Sequence, residues 1–395
     1  MILIGGEEMA HIKKMYDQDN KIKGYKAFVE VGKDPSTGKR KRQTKVFKRK
    51  KDAEIWKAKK LENINTGSFI NPSDLTVSQY FLDRWLENHK KPYIALTTYE
   101  GYKFTITKHL IPTLGKIRLQ DLRADHLENY FNQKRKNGRL DNKKGGLSEN
   151  SLKKHYVLIN EGLKRAVKLK LIKYNPAQAI DSPQPEKYKA PVMNEIDLLK
   201  ILNVLKEDYF MYVFVKTALK TGMRRSELLG LEWNDVDFKK GFIKVRKTLL
   251  KVNGGSVHLN QTKNESSRRE IKMSNDLINI LKSFKKRQNE LKLLLGPEYD
   301  NTKNFVFSKP DGKNYNPRTI SRKFEKAVKK ANLPSKYTVH TLRHTFATIN
   351  LKNKVPAKIV QDMLGHSKIS TTLDIYSHTD LDMQKIAVEK LDEIF

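Results

Sequence analysis

At 395 residues the chain exceeds one ordinary hydrophobic core and predicts two or three domains. Its 79 Lys and Arg against 44 Asp and Glu give a formal charge of +35, which points to a polyanionic partner, with nucleic acid ahead of an anionic membrane surface. The absence of cysteine excludes disulfides, a thiol nucleophile and thiolate zinc sites and agrees with a reducing compartment, and no run of eighteen apolar residues is present to span a bilayer.

Met1 to Ile4 is apolar but too short for a signal peptide. Gly5-Gly6-Glu7-Glu8 before Met9 reads like a translated purine-rich ribosome-binding site, so Met9 is expected to be the natural start. Residues from about His11 to Asn65 predict a small α+β unit. Tyr25 to Val31 alternates as a strand, Asp34 to Gly38 is a turn cluster, and Gln43 to Phe47 returns as a second strand. A helix follows from about Lys50, with Ala53 and Trp56 on one face and Leu61 and Ile64 further along. Between Lys39 and Lys51, nine of thirteen residues are basic and none is acidic. A charge run is most often a solvated face. On a hairpin of a +35 chain, Lys39, Arg40, Lys41, Arg42, Lys45 and Lys48 are expected to meet DNA, because a β-ribbon fits the major groove.

Gly67 to Ser73 is a connector, and from Thr76 to about Ala179 the pattern is helical. Four amphipathic stretches are expected: one around Val77, Tyr80, Phe81, Trp85 and Leu86, then Thr98 to Leu110, Leu122 to Phe131, and Ser148 to Leu169 with Ser148 as N-cap. Ser182 to Pro191 holds three prolines and predicts the main domain boundary. Beyond it, Asn194 to Leu205 and Phe210 to Leu219 read as helices. Phe242 to Leu249 and Arg269 to Met273 read as strands flanking a Gly254-Gly255 turn region, and further helices follow to the C-terminus.

The second half carries the chemistry. In Thr221-Gly222-Met223-Arg224-Arg225-Ser226-Glu227, Gly222 is placed to end a helix, the turn can aim Arg224 at a phosphate, and Glu227 can hold a guanidinium from behind. On that motif alone, a surface arginine beside a helix start is an equal reading. Lys263 lies in a polar connection between strands, where a lysine can protonate a leaving group, and by itself it is one exposed lysine among many. His340 and Arg343 share His340-Thr341-Leu342-Arg343-His344, which a helix puts on related faces. His-x-x-x-His is also a metal-ligand spacing, but with no His-Glu-x-x-His arrangement and no cysteine, no metal is expected and His344 reads as a core histidine. His366 lies in Leu364-Gly365-His366-Ser367, and Ser370 to Ile375 supplies an N-cap and a helical turn leading to Tyr376. Together these residues suit attack on a phosphodiester: guanidinia for the phosphorane charge, a lysine or histidine for protons, and a phenol as nucleophile. Spacing does not choose Tyr376 among the sixteen tyrosines.

The strings Thr221 to Glu227, Thr262-Lys263, His340 to His344, Leu364 to Ser367 and the stretch ending in Tyr376 resemble, in order and distance, those of the tyrosine recombinases, especially the integrases of phages and integrative conjugative elements. The resemblance covers the whole chain. It implies a multidomain α+β protein: a small three-stranded sheet plus helix binding arm-type DNA (9–66), an all-helical core-binding domain (75–182), and a mixed, mainly helical catalytic domain (192–395). It implies that Tyr376 attacks the scissile phosphate to form a 3′-phosphotyrosine and release a 5′-hydroxyl. Arg224 and Arg343 would hold the phosphorane, Lys263 would protonate the leaving oxygen, His340 and His366 would assist, and Glu227 would support. Arg225 stands where the family more usually has an apolar residue.

The resemblance further implies exchange through a Holliday junction by a homotetramer on core and arm sites of double-stranded DNA, with no cofactor. Integration and excision of a mobile element or prophage would involve a DNA-bending host factor and an excisionase, in the bacterial cytoplasm at the nucleoid. The apolar stripe Ile386, Val388, Leu391, Ile394 and Phe395 would dock on a neighbouring protomer. Two other functions fit the charge: a type IB topoisomerase, which shares the chemistry, and a DNA-binding regulator that keeps the fold without catalysis.

Overall fold

The computed structural model describes residues 10–33, 39–66, 69–141, 143–186, 190–251, 257–261 and 268–376. Met9, the Asp34–Gly38 and Gly254-Gly255 turns, Lys263 and the apolar stripe of the C-terminal tail lie outside the described residues. The chain divides into two compact units, Met1–Glu186 and Lys187–Phe395, and the division falls in the proline-rich segment.

The first unit opens with three antiparallel strands, β1 (Ala10–Tyr16), β2 (Ile22–Lys33) and β3 (Arg40–Phe47), in the order β1-β2-β3, followed by helix α1 (Lys50–Asn65). Alternation in the sequence shows only the second and third strands. In β1, Lys13-Lys14 interrupts the apolar positions, and the register shifts between Met15 and Tyr16. One sheet face is closed by α1: Ala27 and Val29 are buried with Ala53, and Trp56 lies 5.9 Å from Phe47, ring centre to ring centre.

The helical part contains α2 (Val77–Gln79 continuing in wider turns through Tyr80–Lys90) and α3 (Leu96–Thr105 continuing through Ile106–Leu110 and Ile111–Leu114). Helices α4 (Ala124–Asn137) and α5 (Glu149–Lys168) complete it. Thr76 and Gln79 form a capping box, and Ser148 caps α5 by accepting from Ser151 N–H. Tyr80, Phe81, Trp85 and Leu86 form one buried stripe of the core. Within that core lies a polar group: Tyr130 Oη and His155 Nδ1 share a 2.9 Å hydrogen bond, and the His109 ring is 4.9 Å from that of His155.

The second unit begins with α6 (Glu195–Leu205), α7 (Tyr209–Thr221) and the short α8 (Arg225–Leu229). Among the described residues five strands follow: β4 (Val236–Asp237), β5 (Phe242–Val245), β6 (Lys247–Lys251), β7 (Val257–Gln261) and β8 (Arg269–Lys272). They form a β4-β5-β8 sheet and a separate β6-β7 hairpin. The expected single strand Phe242 to Leu249 is therefore two strands, broken at Arg246. The guanidinium of Arg246 turns to the buried carboxylate of Asp235, its Nε donating at 2.7 Å, and a buried carboxylate requires such a partner. The strand β7 was not foreseen and supplies the partner of β6.

Helices α9 (Asn275–Leu295), α10 (Pro317–Lys330), α11 (Val339–Lys352), α12 (Ala357–Leu364) and α13 (Ile369–Tyr376) follow. Helix α13 starts at Ile369, two residues earlier than a Ser370 cap would set it. The main core gathers around Val213, Phe214 and Val215 of α7. A smaller cluster, Phe346, Ala347, Leu351, Val360 and Leu364, joins α11 to α12. Among the described residues no helix is long and apolar enough to cross a membrane.

Candidate active site

Helix α7 stops because Gly222 turns left-handed, with φ +63°, and its N–H closes on Ala218 O. The turn is also crowded: a Cβ at Gly222 would sit 2.5 Å from Phe346 Cδ1 and 2.8 Å from Leu364 Cδ2. Arg224 follows as the cap residue of α8. Its backbone N–H donates to Glu227 Oε2 at 2.8 Å, its Nη1 to Glu227 Oε1 at 2.7 Å, and its Nη2 to Gly365 O at 3.2 Å. The guanidinium is half-buried, while the Glu227 side chain is 1% exposed. Burial pushes the Glu227 carboxyl up, but Arg269 and then Arg224 outweigh it and hold the pKa below the usual value.

His340, Arg343 and His344 lie in the first two turns of α11. Arg343 is buried and donates through Nη1 to Gly222 O at 2.8 Å and through Nη2 to Leu364 O at 2.7 Å. Burial, reinforced by Arg224, pushes its pKa down to about 9, so it stays cationic at neutral pH. The His340 and His344 rings meet edge to face at 4.6 Å. Partial desolvation lowers the pKa of His340, helped by Arg343, Arg224 and Arg225. His344 is brought to about 4 by burial, then by His340 and Arg343.

Gly365 ends α12 in the left-handed region, φ +66°, and delivers His366. Gln361 fixes that residue from both sides: its Nε2 donates to His366 O at 2.9 Å, and His366 N–H donates to Gln361 O at 3.2 Å. His366 Nδ1 and the buried Thr372 Oγ1 share a 2.9 Å hydrogen bond. Burial first, then Arg343 and Arg224, pushes His366 down to about 3, so the ring is neutral at physiological pH and Nε2 remains for a ligand.

The structure thus brings Arg224, Glu227, Arg343 and His366 together around the Leu364–His366 turn, with His340 on the same helix as Arg343. An open cleft of about 670 Å³ is lined by Arg224, Arg225, Ser226, Ser321, Glu325 and His340, among others. Arg225 donates to Ser321 Oγ across it, tying α8 to α10. Tyr376 is the last residue of α13, which packs against α11 and α12, and its side chain lies outside the described residues. Lys263 lies outside them too, between β7 and β8.

Two residues of the group were not singled out in the sequence. Thr372 orients His366. Arg269, the first residue of β8, donates through Nη1 and Nη2 to Glu227 at 3.2 and 2.8 Å and through Nε to Met363 O at 2.5 Å. An arginine opening a strand whose other residues alternate normally is the only signal either left.

A second basic surface lies on the N-terminal sheet. Arg40, Lys41, Arg42 and Lys45 are exposed on the edge strand β3, with Lys39 and Lys48 flanking it. Cross-strand pairing separates them by face. Arg42 pairs with Glu30 and Thr44 with Phe28 on the open face, whereas Lys45 pairs with the buried Ala27 on the α1 side. The open face also carries His11, stacked on Phe28 at 4.6 Å, and Lys13 and Lys26, whose Nζ atoms lie 6.0 and 5.5 Å from that ring. The run-based reading missed both lysines because they are dispersed in the sequence and converge only across strands.

Residues 191–382 match the model described as Phage integrase family, and residues 79–135 match Phage integrase, N-terminal SAM-like domain. A tyrosine recombinase XerC-like protein of Caldanaerobacter subterraneus subsp. tengcongensis is 28% identical over 394 residues, which cover 94% of this chain and 96% of that protein. Tyrosine recombinase XerD of Staphylococcus saprophyticus subsp. saprophyticus is 31% identical over 238 residues, 59% of this chain and 73% of that one. The fold is similar to the Tn1549 transposon integrase solved in complex with transposon right end DNA, with a TM-score of 0.68 at 21% identity over 80% of this chain and 100% of that chain.

Proposed function

The chain belongs to the tyrosine recombinase family, and from that membership we propose that it cuts and rejoins DNA at the attachment sites of a mobile element or prophage, integrating and excising it. Tyr376 Oη attacks the scissile phosphorus, the bond to the 5′-oxygen breaks, and a 3′-phosphotyrosine forms. Arg224 and Arg343 hold the non-bridging oxygens as charge builds on them. His340 and His366 contact the phosphate and move the phenol proton, and Lys263 protonates the leaving 5′-oxygen. Glu227 keeps Arg224 in place. The 5′-hydroxyl of a partner strand then reverses the attack, and two such rounds pass through a Holliday junction within a homotetramer.

The observation that carries this reading is the convergence of Arg224, Arg343 and His366 on one turn, Leu364 to His366, beside the helix that ends in Tyr376. Two guanidinia and a neutral imidazole beside a phenol-bearing helix suit a phosphoryl transfer whose intermediate conserves the bond energy. The division of labour follows: 9–66 binds arm-type DNA, 75–182 the core site, and 192–395 performs catalysis. The open face of the N-terminal sheet supports an arm contact through Lys13, Lys26 and Arg42, and Lys39, Arg40, Lys41, Lys45 and Lys48 on and beside the edge strand would add to it. The protein works in the bacterial cytoplasm at the nucleoid, with a DNA-bending host factor and an excisionase setting direction.

The test is a nicked suicide substrate bearing the element's own end. Wild-type protein should form a covalent DNA adduct that Tyr376→Phe abolishes, and recombination between two distinct sites should follow on intact DNA. Adduct formation retained by Tyr376→Phe removes the nucleophile assignment. Relaxation of supercoils without recombination indicates a topoisomerase, and no adduct on any substrate indicates a regulator.

A further inference from the structure

Arg269 opens β8, six residues beyond Lys263, and its side chain is only 6% exposed. One guanidinium there joins three elements. Both terminal nitrogens grip the Glu227 carboxylate of α8, and Nε holds Met363 O in the last turn of α12. Glu227 in turn carries Arg224, and the residues after Met363 present the carbonyls that receive Arg343 and Arg224 before the chain reaches His366. Arg269 therefore bonds directly to Glu227, which carries Arg224, and holds the residue just before Leu364, whose carbonyl receives Arg343.

We propose that Arg269 is a positioning residue for strand cleavage, which locks Glu227 to the end of α12 so that Arg224, Arg343 and His366 are set before DNA arrives. The inference rests on the cleavage chemistry proposed above. Its chemical logic is geometric: a planar fork makes two parallel bonds to a carboxylate and a third to a carbonyl, which the single point charge of lysine does not reproduce. Without the fork, Glu227 has one arginine instead of two, and Arg224 alone ties α8 to the end of α12. The reacting phosphate would then meet guanidinia displaced by a fraction of an ångström, and a misplacement of about 1 Å costs on the order of 100-fold in rate.

The experiment compares wild type with Arg269→Lys in the full-length protein, measuring single-turnover adduct formation on the suicide substrate and, separately, DNA affinity. Arg269→Lys should slow cleavage by about 10- to 100-fold while affinity changes by less than about twofold. The discriminating readout is a second substrate with a methylphosphonate at the scissile position, which carries no charge and so depends less on the arginines. The ratio of methylphosphonate to phosphate cleavage should rise in Arg269→Lys above its wild-type value. That ratio is taken within one preparation and is independent of how much of the variant folds. An unchanged ratio, or phosphate cleavage within about twofold of wild type, overturns the proposal. Combination with Glu227→Gln should cost no more than the worse single change, and multiplied defects overturn the route through Glu227. If wild type itself forms no adduct, the functional reading fails instead.

Discussion

Arg224 and Arg343 donate to the carbonyl oxygens of adjacent residues, Gly365 at 3.2 Å and Leu364 at 2.7 Å. Those carbonyls end α12, where the aligned peptide dipoles leave partial negative charge. With Glu227 they allow Arg224, Arg269 and Arg343 to share a small volume despite their mutual repulsion. In the proposed reaction this keeps donors aimed before substrate is bound, which is the condition for electrostatic stabilisation without reorganisation.

Gly222→Ala should destabilise the second unit. A left-handed L residue costs about 1–2 kcal/mol, and the new methyl would also press on Phe346 and Leu364. Urea denaturation should show the loss, with slower adduct formation because Gly222 O receives Arg343. An unfolding free energy within about 0.5 kcal/mol of wild type would contradict the prediction.

Thr372→Val keeps the shape of a fully buried side chain and removes the partner of His366 Nδ1. A hydrogen bond of this kind contributes about 1 kcal/mol, so cleavage should slow by roughly fivefold. Circular dichroism should be unchanged. Wild-type cleavage rates would mean that Thr372 does not orient the ring.

The helical part of the first unit should lose stability in acid through His109 and His155. Burial first, then Lys134, lowers His109, and burial, His109 and Lys134 bring His155 to about 4. The groups facing this pair are Tyr130 and Lys134 of α4 and Phe104 of α3, none of them a carboxylate. Since the folded pKa values lie below that of an unfolded histidine, the unfolded chain binds more protons as pH falls from about 6.5 towards 4, and stability drops across that window. Below the folded value the drop ends. Urea midpoints read through Trp85, with Trp56 and Trp233 changed to Phe, should show it, and His155→Gln should flatten it. An identical slope in His155→Gln would remove His155 as a cause.

Lys13→Ala and Lys26→Ala should weaken binding to arm-type DNA and reduce the dependence of log affinity on log salt by about one each. Adduct formation on a core-site substrate should not change. Unaltered salt dependence would take these lysines off the DNA-contacting face.

The arginines, histidines and Glu227 were legible because they sit in short strings whose local geometry, a glycine-ended helix or a helical i,i+3 pair, is encoded nearby. Ser148 likewise announces its helix as a cap. What stayed hidden depends on distant partners. Arg269 looks like an ordinary strand residue until the chain folds Met363 and Glu227 against it. Arg246 breaks a strand only because Asp235 is buried. Lys13 and Lys26 gain meaning from cross-strand pairing with β2 and β3, which no local pattern in β1 displays.

The turn that follows α12 assigns three consecutive residues to three different tasks: Leu364 O to Arg343, Gly365 O to Arg224, and the His366 ring to Thr372. It therefore acts as a ruler with single-residue divisions. One inserted or deleted residue would hand each arginine the neighbouring carbonyl and swing the imidazole to another side of the chain. Among relatives that retain activity, length variation should not be tolerated between Gln361 and Thr372.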